Sequence, residues 1–486
     1  MPSPFKFSAS RLKGRLAQSS VVRLLSRPKE RTGNAVSVVE STNNYNTTRA
    51  SMDITDTSKC APTQSPAVTG PLESLPFEIQ RLILSHAPTF DTLRALVHAS
   101  PRLHSVYAQD RLHILRAFVE QYLQGIFLDA YAAYRSGTDE FQLTRNEPML
   151  WDFVHDFENK RNVTTIRQSK LAEPLGLEDL VQLVRFHHAI VEPLTERYSI
   201  WALAALSSAP EDNPLSWTEK VRIQRGLYRF QIFCNLCGSR GEGRSSRECI
   251  EVPLQRLRVL SLFPAYQIEE ILCIHEFGKD TYGGIFYRVA WDLNEERNPI
   301  YKDVDLESVR ENLLLFSGPP GYDINQTSLE AMLRHGLPVL ALAFQKMEDH
   351  DGLVELVRES ILSLESHDVN SYSDWMDEAV HYLPQADRRE QWYSEQYDGP
   401  EKRKEKTPFV KYTPDQPPLA WVTFWYSEAS NFFGPYVHRA FRRWGFVMWD
   451  GPRLRASGAL VHMYWAGGCP GCAGWDPRES FSDDED

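Results

Sequence analysis

The chain has 486 residues, room for two to four domains at about 100 to 200 residues each. A hydrophobic share of 42% can fill a sizeable core, while a net charge of -12 works against wrapping nucleic acid, whose phosphates need concentrated Lys and Arg. A mean hydropathy of -0.41, with no uninterrupted apolar run near the roughly 18 residues that span a bilayer, argues against a membrane protein. The seven cysteines are an odd number without a secretory signal ahead of them. That pattern suits a reducing compartment, cytoplasmic or nuclear, and protein partners.

Residues 1–70 are rich in Ser, Thr, Asn and Pro and carry no sustained helix or strand period, which predicts a disordered arm. Its first part holds Lys6, Arg11, Lys13, Arg15, Arg23, Arg27 and Lys29 with no acid before Glu30. Such a bias fits either a basic arm or a mitochondrial transit peptide.

The next stretch, "LESLPFEIQRLILSHAP", opens the folded part as residues 72–88. Pro76 suits the first turn of a helix, where its missing N–H costs nothing, and Glu78 sits at the positive end of the dipole. Ile79, Leu82 and Ile83 form one face, and Pro88 stops the helix. A second helix is expected with Asp91 as its cap, and a third from the Ser100-Pro101 pair. Three helices this short must pack together to persist. They make a module spanning 71–112.

From Ile114 to Tyr134 the apolar residues recur in pairs every four positions, which predicts one long internal helix ended by Gly137. Further helices are predicted at Glu178 to Tyr198, kinked near Pro193, at Thr218 to Cys237, and at Gly352 to Leu364. Asp280 to Asp292 and Ser457 to Trp465 are the two strand candidates. The charged, Pro-punctuated run 395–418 is expected to be a linker or exposed loop. It separates a helical body, 113–394, from an aromatic-rich segment, 419–478, that must fold back onto that body; an acidic tail, 479–486, follows. The fold class expected is therefore mainly α. No period of 20 to 50 residues points to a solenoid or propeller.

Leu75, Pro76, Glu78, Ile79, Ile83, Leu84, Asp91, Leu93 and Val97 together resemble the F-box, a three-helix module that docks on the Skp-type adaptor of cullin-RING ubiquitin ligases. The match covers under a tenth of the chain. More loosely, "LPFEIQRLILSHAP", "LRALVHASP", "RIQRGLYRFQIFCNLCG" and "RRWGFVMWD" look like a group of filamentous-fungal F-box-like proteins. The resemblance implies that Leu75, Pro76, Ile79, Ile83 and Leu84 face the adaptor. It also implies a non-catalytic adaptor that brings an unidentified client protein to the ligase. The chain departs from the pattern at Ala87, where a larger aliphatic is common, and in the run from Val97 to Leu103, which lacks the usual Trp.

Two other classes remain open: an interaction scaffold whose F-box-like helices no longer dock, and a zinc or redox protein built on Cys469-Pro-Gly-Cys472. Only fourteen residues follow that dithiol, and Pro-Gly is itself a turn signal. Cys234 and Cys237 share a helical face with Ile223, Leu227 and Phe230, so both are expected in the core. His188 and Glu192 have the spacing of a metal pair but lack a second pair, and no cofactor or metal site is assigned. Lys402 to Lys406 can be read as a nuclear import signal or as a solvated linker. No Gly-x-Ser-x-Gly, HExxH or kinase motif set occurs, in keeping with a chain that does no chemistry of its own.

Overall fold

The computed structural model describes residues 70–144, 146–162, 175–206, 213–238, 259–260, 262–293, 326–362, 376, 413–425, 433–434 and 437–465. Among these the regular structure is helical throughout, without a strand, as a mainly α chain requires. None of the described helices is long and apolar enough to cross a membrane. The chain divides into two compact units, one reaching Phe118 and the other beginning at Val119.

The first unit holds α1 (Phe77–Ser85), α2 (Phe90–Ala99), α3 (Pro101–Gln109) and the start of α4 (Arg111–Tyr122). Helices α1, α2 and α3 contact one another in all three pairs. Ser100 caps α3 as expected, its hydroxyl accepting from the Arg102 and Leu103 amides, with Pro101 in the first turn. The cap of α2 is Thr89 and not Asp91: the Thr89 hydroxyl takes the Thr92 amide, which leaves Asp91 in the first turn, where the helix dipole favours it.

In the second unit the expected long helix is two. It breaks after Tyr122, and α5 (Phe127–Ser136) resumes beyond Gly125, whose φ of 88° only glycine adopts without strain. Gly137 caps α5, its amide bonded to the Ala133 and Tyr134 carbonyls. Short α6 (Asp139–Thr144) and α7 (Glu147–Asn162) follow. Then α8 (Leu177–Phe186) runs into a π turn, His187–Val191, and continues as α9 (Glu192–Ala205). Pro193, in the first turn of α9, has no N–H to give, and the wider turn just ahead of it takes up the mismatch: the Glu192 amide reaches back five residues to the His187 carbonyl.

The centre of this unit is α10 (Trp217–Cys237) lying against α11 (Ala265–Val289). Ser216 and Glu219 form a capping box at the start of α10, and Gly238 closes its end. Around the pair sit α5, α9, α12 (Gln326–Arg334), α13 (Leu337–Gln345) and α14 (His350–Leu362). The last part contributes α15 (Leu419–Phe424), α16 (Arg439–Arg443), α17 (Gly451–Ala456) and α18 (Ala459–Trp465). Here α16 contacts α11, so the aromatic-rich segment does fold back onto the helical body. Phe424, Phe441 and Phe446 form a ring cluster with centroids 5.5 to 6.1 Å apart.

Both strand expectations are corrected. Asp280 to Val289 is the end of α11, where Tyr282, Ile285, Phe286 and Val289 are buried at the spacing of a helix while Gly284, Tyr287 and Arg288 are exposed. Ser457 to Trp465 is the end of α17 and all of α18, joined through Gly458 at a φ of 70°. The predicted linker is partly described: Pro414 and Asp415 lie against α10, as detailed below. Residues 1–69, 395–412 and 466–486, with the arm, the basic run, Cys469, Cys472 and the tail, lie outside the described residues.

Candidate functional site

The first unit presents a short apolar stripe built by helical geometry. Each residue of a helix advances about 100°, so Ile79, Leu82 and Ile83 share one face of α1, while Gln80 and Leu84 each lie about 160° around the axis from Leu82; Leu75 and Pro76 precede the helix, Pro76 as its N-cap. Burial matches this division. Ile79 is 42% exposed and Leu82 53%, both high for aliphatic side chains. Pro76 is exposed and Leu75 and Ile83 are half-buried. Gln80 and Leu84 have no exposed surface.

Of the five expected contact residues, then, four reach the surface and one does not. Leu84 is corrected to an interior position: it lies one residue past Ile83 and so turns toward the side where Leu93, Val97, Leu103 and Val106 are buried. Leu82, more exposed than Ile79, takes its place in the stripe. Ala87 is also interior, 4% exposed, so the small residue there is a matter of fit within the protein.

Polar groups brace the stripe from behind. Gln80 donates to the Leu72 and Glu73 carbonyls, each at 3.0 Å, and accepts from the Arg102 side chain at 3.3 Å. The Glu73 carboxylate accepts from the Ser100 hydroxyl and from the Gly70 amide; the Ser100 bond is the main reason its pKa lies below the usual carboxylate value. Arg81 and Asp110 pair at 3.0 Å across the module. None of these roles was legible from spacing; the one available signal was a glutamine standing at an inward position of an amphipathic helix.

The second unit holds a polar cluster at the π turn. His187 stacks on Tyr228 and shares a 2.8 Å hydrogen bond with its hydroxyl, and the Glu192 carboxylate lies 4.0 Å from the other ring nitrogen. His188 meets the second Glu192 oxygen at 2.9 Å, and Lys220 lies 3.8 Å away. Burial pushes His187 down to about 3 and Tyr228 well up, so both partners stay neutral across the physiological range. Burial acts against Glu192 as an anion, yet the His188 bond, the Tyr122 hydroxyl and the nearby Lys220 ammonium outweigh it and take its pKa down to about 2. A hydrogen bond between neutral partners orders the turn; it does not prime a proton for transfer near pH 7. The pair expected from its spacing, His188 and Glu192, is thus an ion-pair geometry. Among the described residues no group of three or more His, Cys, Asp or Glu is placed to hold a metal ion.

A third polar assembly runs along α10. Arg222 binds Asp450 at 2.8 Å, Arg225 grips Glu270 through two bonds of 2.9 and 2.6 Å and the Pro414 carbonyl at 2.7 Å, and Arg229 binds Asp129 and Gln267, both at 2.7 Å. All three guanidinium side chains are 4% exposed or less. Cys234 and Cys237 are buried on the same helix, and burial raises the Cys234 thiol well above its ordinary value. These groups connect elements of the second unit, and the exposed stripe on α1 is the candidate for function because it coincides with the residues of the F-box-like resemblance. No family model, no curated protein and no solved structure matches the chain.

Proposed function

We propose that the stripe on α1 docks a Skp-type adaptor in the manner of an F-box, and that the chain recruits a client protein to a cullin-RING ubiquitin ligase without doing chemistry itself. The observation that carries this reading is that Ile79 and Leu82 of α1, and Pro76 at its N-cap, are exposed while Gln80 and Leu84 of the same helix are interior. Covering an exposed aliphatic side chain contributes about 1.5 to 3 kcal/mol, and association costs about 4 to 15 kcal/mol, so several anchors must act together. Five candidates, Leu75, Pro76, Ile79, Leu82 and Ile83, are within reach of one partner surface. Holding a client beside the transfer machinery would then act through effective concentration. The protein works in the cytoplasm or nucleus on this reading.

The test is retention of a purified Skp-type adaptor by the full chain and by Ile79→Asp and Leu82→Asp. Both substitutions sit at exposed positions, so the fold is expected to survive while retention falls at least about tenfold. Equal retention by all three proteins removes the proposal. A wild-type chain that retains no adaptor leaves a non-enzymatic interaction scaffold, the reading that the interior placement of Leu84 favours.

A further inference from the structure

The approach to the stripe is a turn, residues 70–75, whose amides at Glu73 and Ser74 both bond to the Gly70 carbonyl. Leu75 and Pro76, two of the five anchors, sit at its end. This turn is tied from two directions by polar groups. From α1, the Gln80 amide spans the Leu72 and Glu73 carbonyls with its two N–H groups. From α3, the Ser100 hydroxyl bonds to the Glu73 carboxylate, which also holds the Gly70 amide.

We infer that Gln80 is a positioning residue for the docking face: it locks the 70–75 turn so that Leu75 and Pro76 stand beside Ile79 before a partner arrives. The inference rests on the proposed docking function and deepens it. Few other side chains fit the position. A buried group there must give two hydrogens to two backbone carbonyls and take one from Arg102, and a glutamine amide does both while leaving no charge buried. A turn ordered in advance spares the complex the entropy of ordering it on contact, so the effect belongs in affinity.

The experiment uses the full chain, a purified Skp-type adaptor as the probe, and hydrogen exchange at the Glu73 and Ser74 amides. Gln80→Leu and Gln80→Glu, which each remove the donor by a different route, are expected to speed exchange at both amides and to weaken adaptor binding about tenfold with helix content kept. Arg102→Leu removes the contact on the glutamine oxygen and an attraction to the Glu73 carboxylate but keeps both Gln80 donors, and is expected to change exchange and affinity less than either Gln80 variant; an equal change would assign the effect to the network and not to Gln80. Ile79→Asp is expected to lose binding with exchange unchanged. Wild-type affinity or unchanged exchange in both Gln80 variants overturns the role of Gln80 alone. A wild-type chain that does not bind the adaptor overturns the docking function and this role with it.

Discussion

Burying an isolated charge costs several kcal/mol, and the three arginines of α10 escape that cost only because each meets a carboxylate. Burial works against the charge of Arg225, and Glu270 at 2.6 Å more than offsets it, raising the pKa further. Pairs of this kind add little net stability over an apolar core, but losing one partner leaves a charge stranded, so they specify which elements may pack together. The chain shows Arg222, Arg225 and Arg229 plainly, yet nothing local marks them as interior, because their partners stand 45 to 228 positions away. His187 makes a testable case at the same scale. Its pKa is near 3 when folded, below the ordinary 6.5, so the unfolded chain binds the extra proton as pH falls and stability is lost on acidification between those values. Glu192, depressed to about 2, acts in the same direction below about pH 4.5. Urea unfolding followed from pH 7 to pH 4 is expected to show a His187 contribution approaching about 1.4 kcal/mol per pH unit below 6.5, and His187→Phe to remove that slope. An unchanged slope in the variant would assign the acid limb to other groups.

At the scale of elements, apolar spacing located α1, α3, α8, α10 and α14 but missed the central α11 and the helix interruptions. The stretch from Ile114 to Tyr134 keeps its helical period across the break because Leu123 and Ile126 are buried in the turn as well as in the pattern, and only the single Gly125 signals the stop. The strand expectation at Asp280 to Asp292 failed for a related reason. Its aromatic and β-branched residues are good strand formers in isolation, and burial on one side of a long helix overrode that preference. The contact of α10 with α11 turns on one glycine. A methyl group at Gly226 would stand 3.1 Å from the Glu270 carbonyl oxygen and 3.1 Å from the Ile274 side chain. Gly226→Ala would ordinarily gain about 1 kcal/mol of helix propensity, but it must here push two backbones apart, and overpacking costs about 1 to 3 kcal/mol. The expected outcome is no gain, with a net loss of up to about 2 kcal/mol by chemical denaturation, and a stabilised variant would show that the helices can part without cost.

For the molecule as a whole, the second unit depends on its last segment. Residues 413–465 supply Asp450 to Arg222, Arg453 to Glu219, Arg442 to Glu269, Arg439 to Glu276 and the Pro414 carbonyl to Arg225. Glu219, Glu269, Glu276 and Arg222 are each 6% exposed or less at the side chain, so removing the segment leaves four charges buried without these partners. Breaking one buried pair typically costs about 3 to 5 kcal/mol, and the three buried ones, Arg222–Asp450, Arg453–Glu219 and Arg442–Glu269, are together comparable to the whole stability of an ordinary domain, about 5 to 15 kcal/mol. A chain stopped after residue 412 is therefore expected to lose cooperative thermal unfolding in the second unit. A sharp transition near that of the full chain would show that the body folds without its C-terminal part. The aromatic density of that segment was legible as something that must be covered; its role as the source of counter-charges was not.

The amino-acid sequence by itself determined the helical class, the places of α1, α3, α10 and several other helices, the Ser100 cap and the shared face of Ile79, Leu82 and Ile83, because these follow from period and from capping chemistry within a few residues. Only the tertiary structure decided that Leu84 turns inward, that Gln80 ties down the turn ahead of α1, and that a row of arginines belongs in the core. Those outcomes depend on packing and on partners outside any helical or strand period, from 7 and 8 positions away for Gln80 to 228 for Arg222, and bonds that close in this way leave no periodic trace for a local pattern to carry.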